Sequence, residues 1–516
     1  RELYDHNQSA WTVERAQAQA FNNLYWGEHG ILIPDTAQKD RKRKIEPERM
    51  ETKEAPRVVD LITSFYASPA NIGAQWTGAG SREASAVDAL EVGINEAIDQ
   101  LNPPHDAPRA RRVFQQVLFG KSAQLGPVYG DAYYWDFPYK TAGESEEDWA
   151  KRYEEWRKGG PIPMVYMDLP AEATYPASFG TLNDLVMCEM DMTAWELAEI
   201  FSPDEIGKAL PTAYKASDPF KVAIMSNRMW LAYAIIGDKN PIPEKVPFVG
   251  GRKDAILRTV EHKMGRSALR IHPGMTRRKE KGKYWLSTLQ HVADLIVGAD
   301  RMLSMAATAQ KFDAFPPLKR FTKAGVGEGA TANIKTEQEG DIFDFEMDDQ
   351  GHKLGDIQPL IQPQAGQATQ ELLAFLLHRI ERKSGTIPEL EGAFSAETAW
   401  ATNFAVDVAT NAHSPLTQNI IAADMDDAEG IMRAVEVSGE PLFLKRRGEG
   451  KSEIKLLPDQ VKDWIPTLKG EYKLTMTTNR IASAQTGLAF MERIMATGMP
   501  ISPEWVMETF MDIEQP

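Results

Sequence analysis

At 516 residues, with 42% hydrophobic and 26% charged side chains, the chain has the make-up of an ordinary globular protein and the length of several linked domains. Its net charge of −16 argues against a conventional nucleic-acid reader, which needs basic surface to neutralise phosphates, but not against a surface that DNA passes without sticking. One cysteine, Cys188, rules out an intrachain disulfide, and its apolar flanks (LVMCEM) predict a buried, inert thiol. The sequence holds no apolar run of the ~20 residues needed to span a bilayer and no secretory signal pattern. It begins at Arg1, so leading residues are expected ahead of it.

In chain order, residues 8–27 read as an amphipathic helix stopped by Gly27 and Gly30, and the basic run KDRKRK (39–44) as a solvated arm. Helices are expected over 55–70, 84–101 and 109–124, the last two separated by Pro103 and Pro104. GPVYGDAYYWDFPY (126–139) reads as strand or hairpin, 144–160 as an exposed helix, and PIPMVYMDLPAEATYPAS (161–178) as extended. Helical texture resumes at 192–201, followed by a helix start at Ser202-Pro203-Asp204-Glu205. Residues 217–250 are mixed and apolar, with a Pro-rich exit. DAILRTVEHKMG (254–265) predicts a helix with Gly265 as its C-cap, and RSALRIHPGM a strand.

A central stretch, Tyr284 to Asn403, reads helix, extended insert, helix, short break, helix. The insert, from about Lys311 to Gly366, is rich in Gly, Pro and acid, and the returning helix is QATQELLAFLLHRIERKSG. A long helix is expected over about Ser395 to Val437, with a kink or break near Ala412–Ser414 because Pro415 lies inside it. Beyond it come a loop and strand, a clean β-run at YKLTMTTNRI (472–481), and two short helices. The sequence shows no internal repeat.

Catalytic and cofactor motifs are hard to find. Gly450-Lys451-Ser452 supplies the end of a P-loop, but position 445 is Lys where a glycine is required. The Gly325, Gly327, Gly329 pattern precedes no helix and reads as a flexible hairpin tip. The nine histidines form no HExxH and no i,i+4 pair; His262 and His272 straddle a strand and loop, and His378 and His413, alone on helices, read as satisfied or exposed side chains. The acids Asp341, Asp344, Glu346, Asp348 and Asp349 match a calcium loop only in composition. No GxSxG occurs. No cofactor or metal is expected, and an enzyme is the weaker class.

The order of elements from Gly265 onward resembles a bacteriophage portal protein, the head-to-tail connector of tailed double-stranded DNA phages. GRSALRIHPGM and KYWLSTLQHVADLIVGADRMLSMAATAQ resemble the strand leading into the family's first stem helix. FDAFPPLKRFTK, EGDIFDFEM and IQPLIQP resemble its inserted clip; QATQELLAFLLHRIERKSGTIPELEG resembles the return helix and tunnel loop. SAETAWATNFAVDVATNAHSPLTQNIIAADMDDAEGIMRAV resembles the long wing helix. EYKLTMTTNRIASAQTGLAFMERIMATGMPISPEWVMETF, with its Asn-Arg strand, helix, Gly turn and Ser-x-Glu, is the most specific segment. AFNNLYWGEHG and GDAYYWDF match only loosely. About half the chain matches well, and the rest only by order.

The resemblance implies an α+β, mainly helical subunit of a ring oligomer, a dodecamer in assembled virions. Its parts would be a wing with a β core (1–283), a first stem helix (284–311), a clip (312–357) and a second stem helix (358–385). A tunnel loop (386–396), a long wing helix (397–440), a returning loop and strand (441–480) and the start of a crown (481–516), continuing past Pro516, would complete it. The tunnel loop would comprise Thr386, Ile387, Pro388, Glu389, Leu390, Glu391, Gly392, Ala393, Phe394 and Ser395. Lys319, Arg320, Lys323, Arg379, Arg382 and Lys383 are candidates for basic rings facing DNA; each also has a plain reading, such as complementing a helix C-terminus. The implied partners are further copies of the chain, the terminase large subunit, the major capsid protein, a scaffolding protein, a head–tail adaptor and double-stranded DNA without sequence specificity, and no membrane. The implied location is the capsid vertex of the virion, after assembly in the host cytoplasm. An intracellular α/β enzyme with an unrecognised site, or another structural virion subunit such as a capsid or adaptor protein, remain as alternatives.

Overall fold

A computed structural model describes residues 1–28, 49–67, 71–76, 81–103, 107–130, 140–141, 143–159, 162–177, 183–210, 215–237, 254–275, 284–314, 318–323, 342–347, 350, 367–386, 413–445, 453–459, 461 and 472–477. The fold is mixed helix and sheet, compatible with an α+β class. Two compact units emerge: a sheet unit (1–19, 60–288, 388–516) and a helical unit (20–59, 289–387). Residues 20–59, grouped with the wing by sequence, thus belong with the helices that follow residue 288.

The first expected helix is two: α1 (Glu2–Ala10) and α2 (Thr12–Trp26), broken at the fully buried Trp11. Next come α3 (Glu54–Tyr66), β1 (Asn71–Trp76), α4 (Ser81–Leu101) and α5 (Pro108–Phe119); the three helices lie close to expectation except at the end of α5, and β1 was not expected. Residues 121–124 do not continue that helix. Gly120 adopts the left-handed conformation with φ 73°, and a side chain there would collide with the Leu286 backbone, so the chain must turn. It enters β2 (Lys121–Tyr129), buried over nearly its whole length. The exposed α6 (Glu146–Gly159) follows, with acids in its first turn and Arg157 and Lys158 in its last, as the helix dipole favours.

Two sheets build the core of the sheet unit. In the smaller, β2 is central, flanked antiparallel by β3 (Met164–Leu169) and by a later strand, β9 (Leu269–Pro273). The larger is a five-stranded antiparallel sheet in chain order: β4 (Thr174–Pro176), β5 (Leu185–Thr193), β6 (Pro219–Asn227), β7 (Trp230–Ile235) and β8 (Ala255–Glu261). Between β5 and β6, α7 (Ala194–Ile200) and α8 (Pro203–Ala209) each start with a reciprocal capping box, Thr193 with Glu196 and Ser202 with Glu205. The helix expected over 254–265 is corrected to β8. Ile256, Leu257 and Val260 have near-helical spacing, but pairing with β7 and burial of Leu257 decide the conformation.

The helical unit contains α9 (Ala293–Ala314) and α10 (Gln367–Ser384), with β10 (Leu318–Lys323) and β11 (Ile342–Met347) paired in parallel between them. Helix α9 begins later than expected; Tyr284–Ser287 lie outside it, and the fully buried Tyr284 belongs to the aromatic core of the sheet unit. In the sheet unit again, α11 (Ser414–Ser438) starts at the position where a kink was expected. Pro415 occupies its first turn, where the missing N–H has no intrahelical partner to lose. Residues 395–412, expected to be helical, lie outside the described residues. The final strands are β12 (Leu442–Lys445), antiparallel to β13 (Glu453–Leu456), and β14 (Tyr472–Thr477), antiparallel to β1.

Candidate functional site

The stretch to which the sequence assigns a channel wall is the α9–α10 pair. In α10, Leu373, Leu376, Leu377 and Ile380 recur at helical spacing, which defines a packing face; Ile380 is fully buried. On the adjacent face Leu372 is 47% and Phe375 52% exposed, and on α9 Met305 is 58% exposed. Polar contacts fix α9 within its own unit. Asp300, buried, accepts hydrogen bonds from the Thr52 amide and hydroxyl, both at 2.6 Å, and Ser304 Oγ exchanges 3.0 Å bonds with the backbone of Met50. Arg57 reaches Glu381 of α10 at 3.3 Å and Glu54 at 3.0 Å.

Of the six basic candidates, Arg379, Arg382 and Lys383 fall together in the last two turns of α10, all exposed. The Arg379 guanidinium lies 5.4 Å from the Phe375 ring centre, a cation–π contact that joins charge to the exposed apolar face. Lys319, Arg320 and Lys323 lie on β10, in register with Phe343, Asp344 and Met347 of β11. Thr386 is buried, its hydroxyl 2.6 Å from that of Ser384, which ties down the exit from α10. The rest of the expected tunnel loop, Ile387 to Ser395, lies outside the described residues.

A second polar constellation, which the sequence reading passed over, sits in the sheet unit at the middle of α11. Asp424 and Asp427 are buried and Asp426 is half-buried. Arg109 forks onto both oxygens of Asp424 at 2.9 Å. Arg112, fully buried, bridges Asp424 and Asp427. Arg270 bridges Asp426 and Asp427, and Arg266 donates to the Asp426 carboxylate at 2.9 Å and to its main-chain oxygen at 2.8 Å. Tyr166 donates to Asp427 at 2.7 Å. Burial drives the Asp424 pKa up, but Arg112 and Arg109 outweigh it and hold the carboxyl below its usual value. Burial, reinforced by Arg270, Arg112 and Arg266, holds the neighbouring His272 neutral, well below its ordinary pKa. The available signal was the run ADMDDAEG, which sets acids at the same helical spacing as Ile420, Ala423 and Ile431.

Chemistry elsewhere is subdued. Burial pushes the Cys188 thiol up to about 12, as its inert reading requires. Lys121 is fully buried with its amine 3.2 Å from the Tyr175 ring centre, donating to the Thr174 carbonyl; burial and nearby Arg15 lower its pKa well below normal. Among the described residues, no group of three or more His, Cys, Asp or Glu side chains is placed to hold a metal ion, and no helix is long and apolar enough to cross a membrane. No protein-family model and no curated protein matches the chain, so the resemblance to portal proteins rests on element order and on the segments that carry it.

Proposed function

We propose that the protein is a phage portal subunit. It assembles into a ring whose central hole conducts double-stranded DNA, docks the packaging ATPase, nucleates the capsid and later holds the tail adaptor. The observation that carries the reading is the α9–α10 pair, interrupted by a small two-stranded insert and exposing Leu372, Phe375 and Met305. Leucine and phenylalanine left in water on a helix are costly unless a neighbour covers them, at roughly 25 cal/mol per Å² of apolar surface. A head-to-tail ring supplies such a neighbour to every copy alike. Net charge of −16 per subunit repels the DNA backbone around such a bore, while Arg379, Arg382 and Lys383 offer only a few phosphate contacts.

Negative-stain imaging of the purified protein tests this. Rings with a central hole are expected, and a paired Leu372→Asp, Phe375→Asp variant is expected to yield folded, dispersed subunits. A wild-type protein that stays monomeric at micromolar concentration overturns the reading. DNA association should be weak and should fall steeply with salt.

A further inference from the structure

The buried face of α11 is apolar at both ends and ionic in the middle. Leu416, Ile420 and Ala423 precede the aspartates; Ala428, Ile431, Met432 and Val435 follow them, all buried. Apolar contacts are non-directional, and small residues such as Ala423, Ala428 and Ala434 leave a surface over which a helix can slide. The ionic centre behaves differently. Arg112 spans two carboxylates three residues apart, a distance set by the helical turn, and Arg270 spans two adjacent ones. These guanidiniums come from α5 and β9, and Tyr166 from β3, so three elements hold the same short stretch. Gly430 adds a steric condition: a side chain there would strike the Arg266 guanidinium and Pro127. A displacement of α11 by one turn would carry Asp427 to the place of Asp424 and Gly430 to the place of Asp427. Tyr166 and one arm of Arg270 would then face Gly430, which has no carboxylate, while the longer Glu429 would stand in the place of Asp426. Any smaller displacement breaks the bridges that Arg112 and Arg270 make.

We infer that this Arg–Asp hub is a register lock, a conformational device that confines α11 to one axial position against α5 and the three-stranded sheet. The flanking apolar contacts hold the helix down, and the hub decides where it sits. That role follows from directional bonding rather than from net stabilisation, since buried ion pairs are often replaceable by apolar side chains without loss of stability. The inference stands independently of the ring reading.

The test separates position from stability. Spin labels at Ala422 of α11 and Thr259 of β8, both exposed, give one distance; Val437 paired with Thr259 gives a second, while buried Cys188 stays unlabelled. Dilution with unlabelled chain removes distances between copies. Wild type should show one narrow distance for each pair. The variant Arg109→Met, Arg112→Met, Asp424→Leu, Asp427→Leu removes two charges of each sign. It should melt near wild type yet show broadened distances or two populations, offset by up to about 5 Å, one helical turn. A single narrow distribution at the wild-type distance in this variant overturns the inference. If the variant does not fold, Arg112→Lys replaces the fork with a point charge that cannot bridge both acids in the same geometry. Broadening in that variant supports the lock, and an unchanged distribution overturns it.

Discussion

Helices α10 and α11 invert the usual rule in opposite directions. The first leaves leucine and phenylalanine in solvent, whereas the second carries aspartates into the interior. The aspartates of α11 are matched inside their own unit by guanidiniums of α5 and β9 and the hydroxyl of Tyr166, so these carboxylates find their partners in a single chain. Leu372 and Phe375 are exposed in the single chain, and in the proposed ring a neighbouring copy would cover them. Exposure and burial therefore report on assembly only when read against what each side chain requires.

The contrast can be broken most forcefully at the hub. Asp424→Ala strands Arg109 and Arg112 as buried, less-compensated cations and should cost about 3–5 kcal/mol, read from the urea midpoint. A loss below ~1 kcal/mol would mean that water or relaxation satisfies those guanidiniums. A smaller effect is expected from His272. Its folded pKa lies below the unfolded value of about 6.5, so below that pH the unfolded chain binds a proton that the folded chain refuses. Stability contributed by neutral His272 is therefore present above ~6.5 and lost as pH falls below it, by up to about 1.4 kcal/mol per unit. His262, also depressed by burial, acts with the same sign. His272→Gln should flatten the melting-temperature profile between about pH 6.5 and 5; an unchanged slope would show that His272 titrates normally. The smallest effect sharpens the other side. Phe375→Ala in dispersed subunits should change stability by no more than ~0.5 kcal/mol, because the side chain is already half in water. A larger loss would show that Phe375 is packed within its own chain.

Much of the helical framework was legible because periodicity and capping agree locally. The starts at Thr193 and Ser202 carry reciprocal Glu partners, and α10 repeats its leucines every three or four residues. What could not be read was decided at long range. Residues 255–261 fit a helix as well as a strand until β7 supplies a hydrogen-bonding edge, and nothing short of the Gly120 backbone geometry ends α5 before Lys121. For the candidate site, the sequence gives α10 one apolar stripe but not which part of it finds a partner in the same chain. The local sequence does not name the partners of Asp424 and Asp427, because their arginines lie 315 and 157 residues away along the chain. Of the expected DNA-facing arginines and lysines, those at the end of α10 are exposed together, a grouping that follows directly from their spacing on one helix.

The pairing of β1 with β14 sets a timetable for biosynthesis. Trp76 has to wait for Tyr472 before its ladder can close. At about 5–20 residues per second, nearly four hundred intervening residues take roughly 20–80 s to emerge from the ribosome. Throughout that interval β1 lacks its native neighbour, and an unpaired strand edge is a template for the wrong one. The chain thus leaves synthesis through a prolonged vulnerable phase, during which a chaperone holding its early part would protect it from premature association.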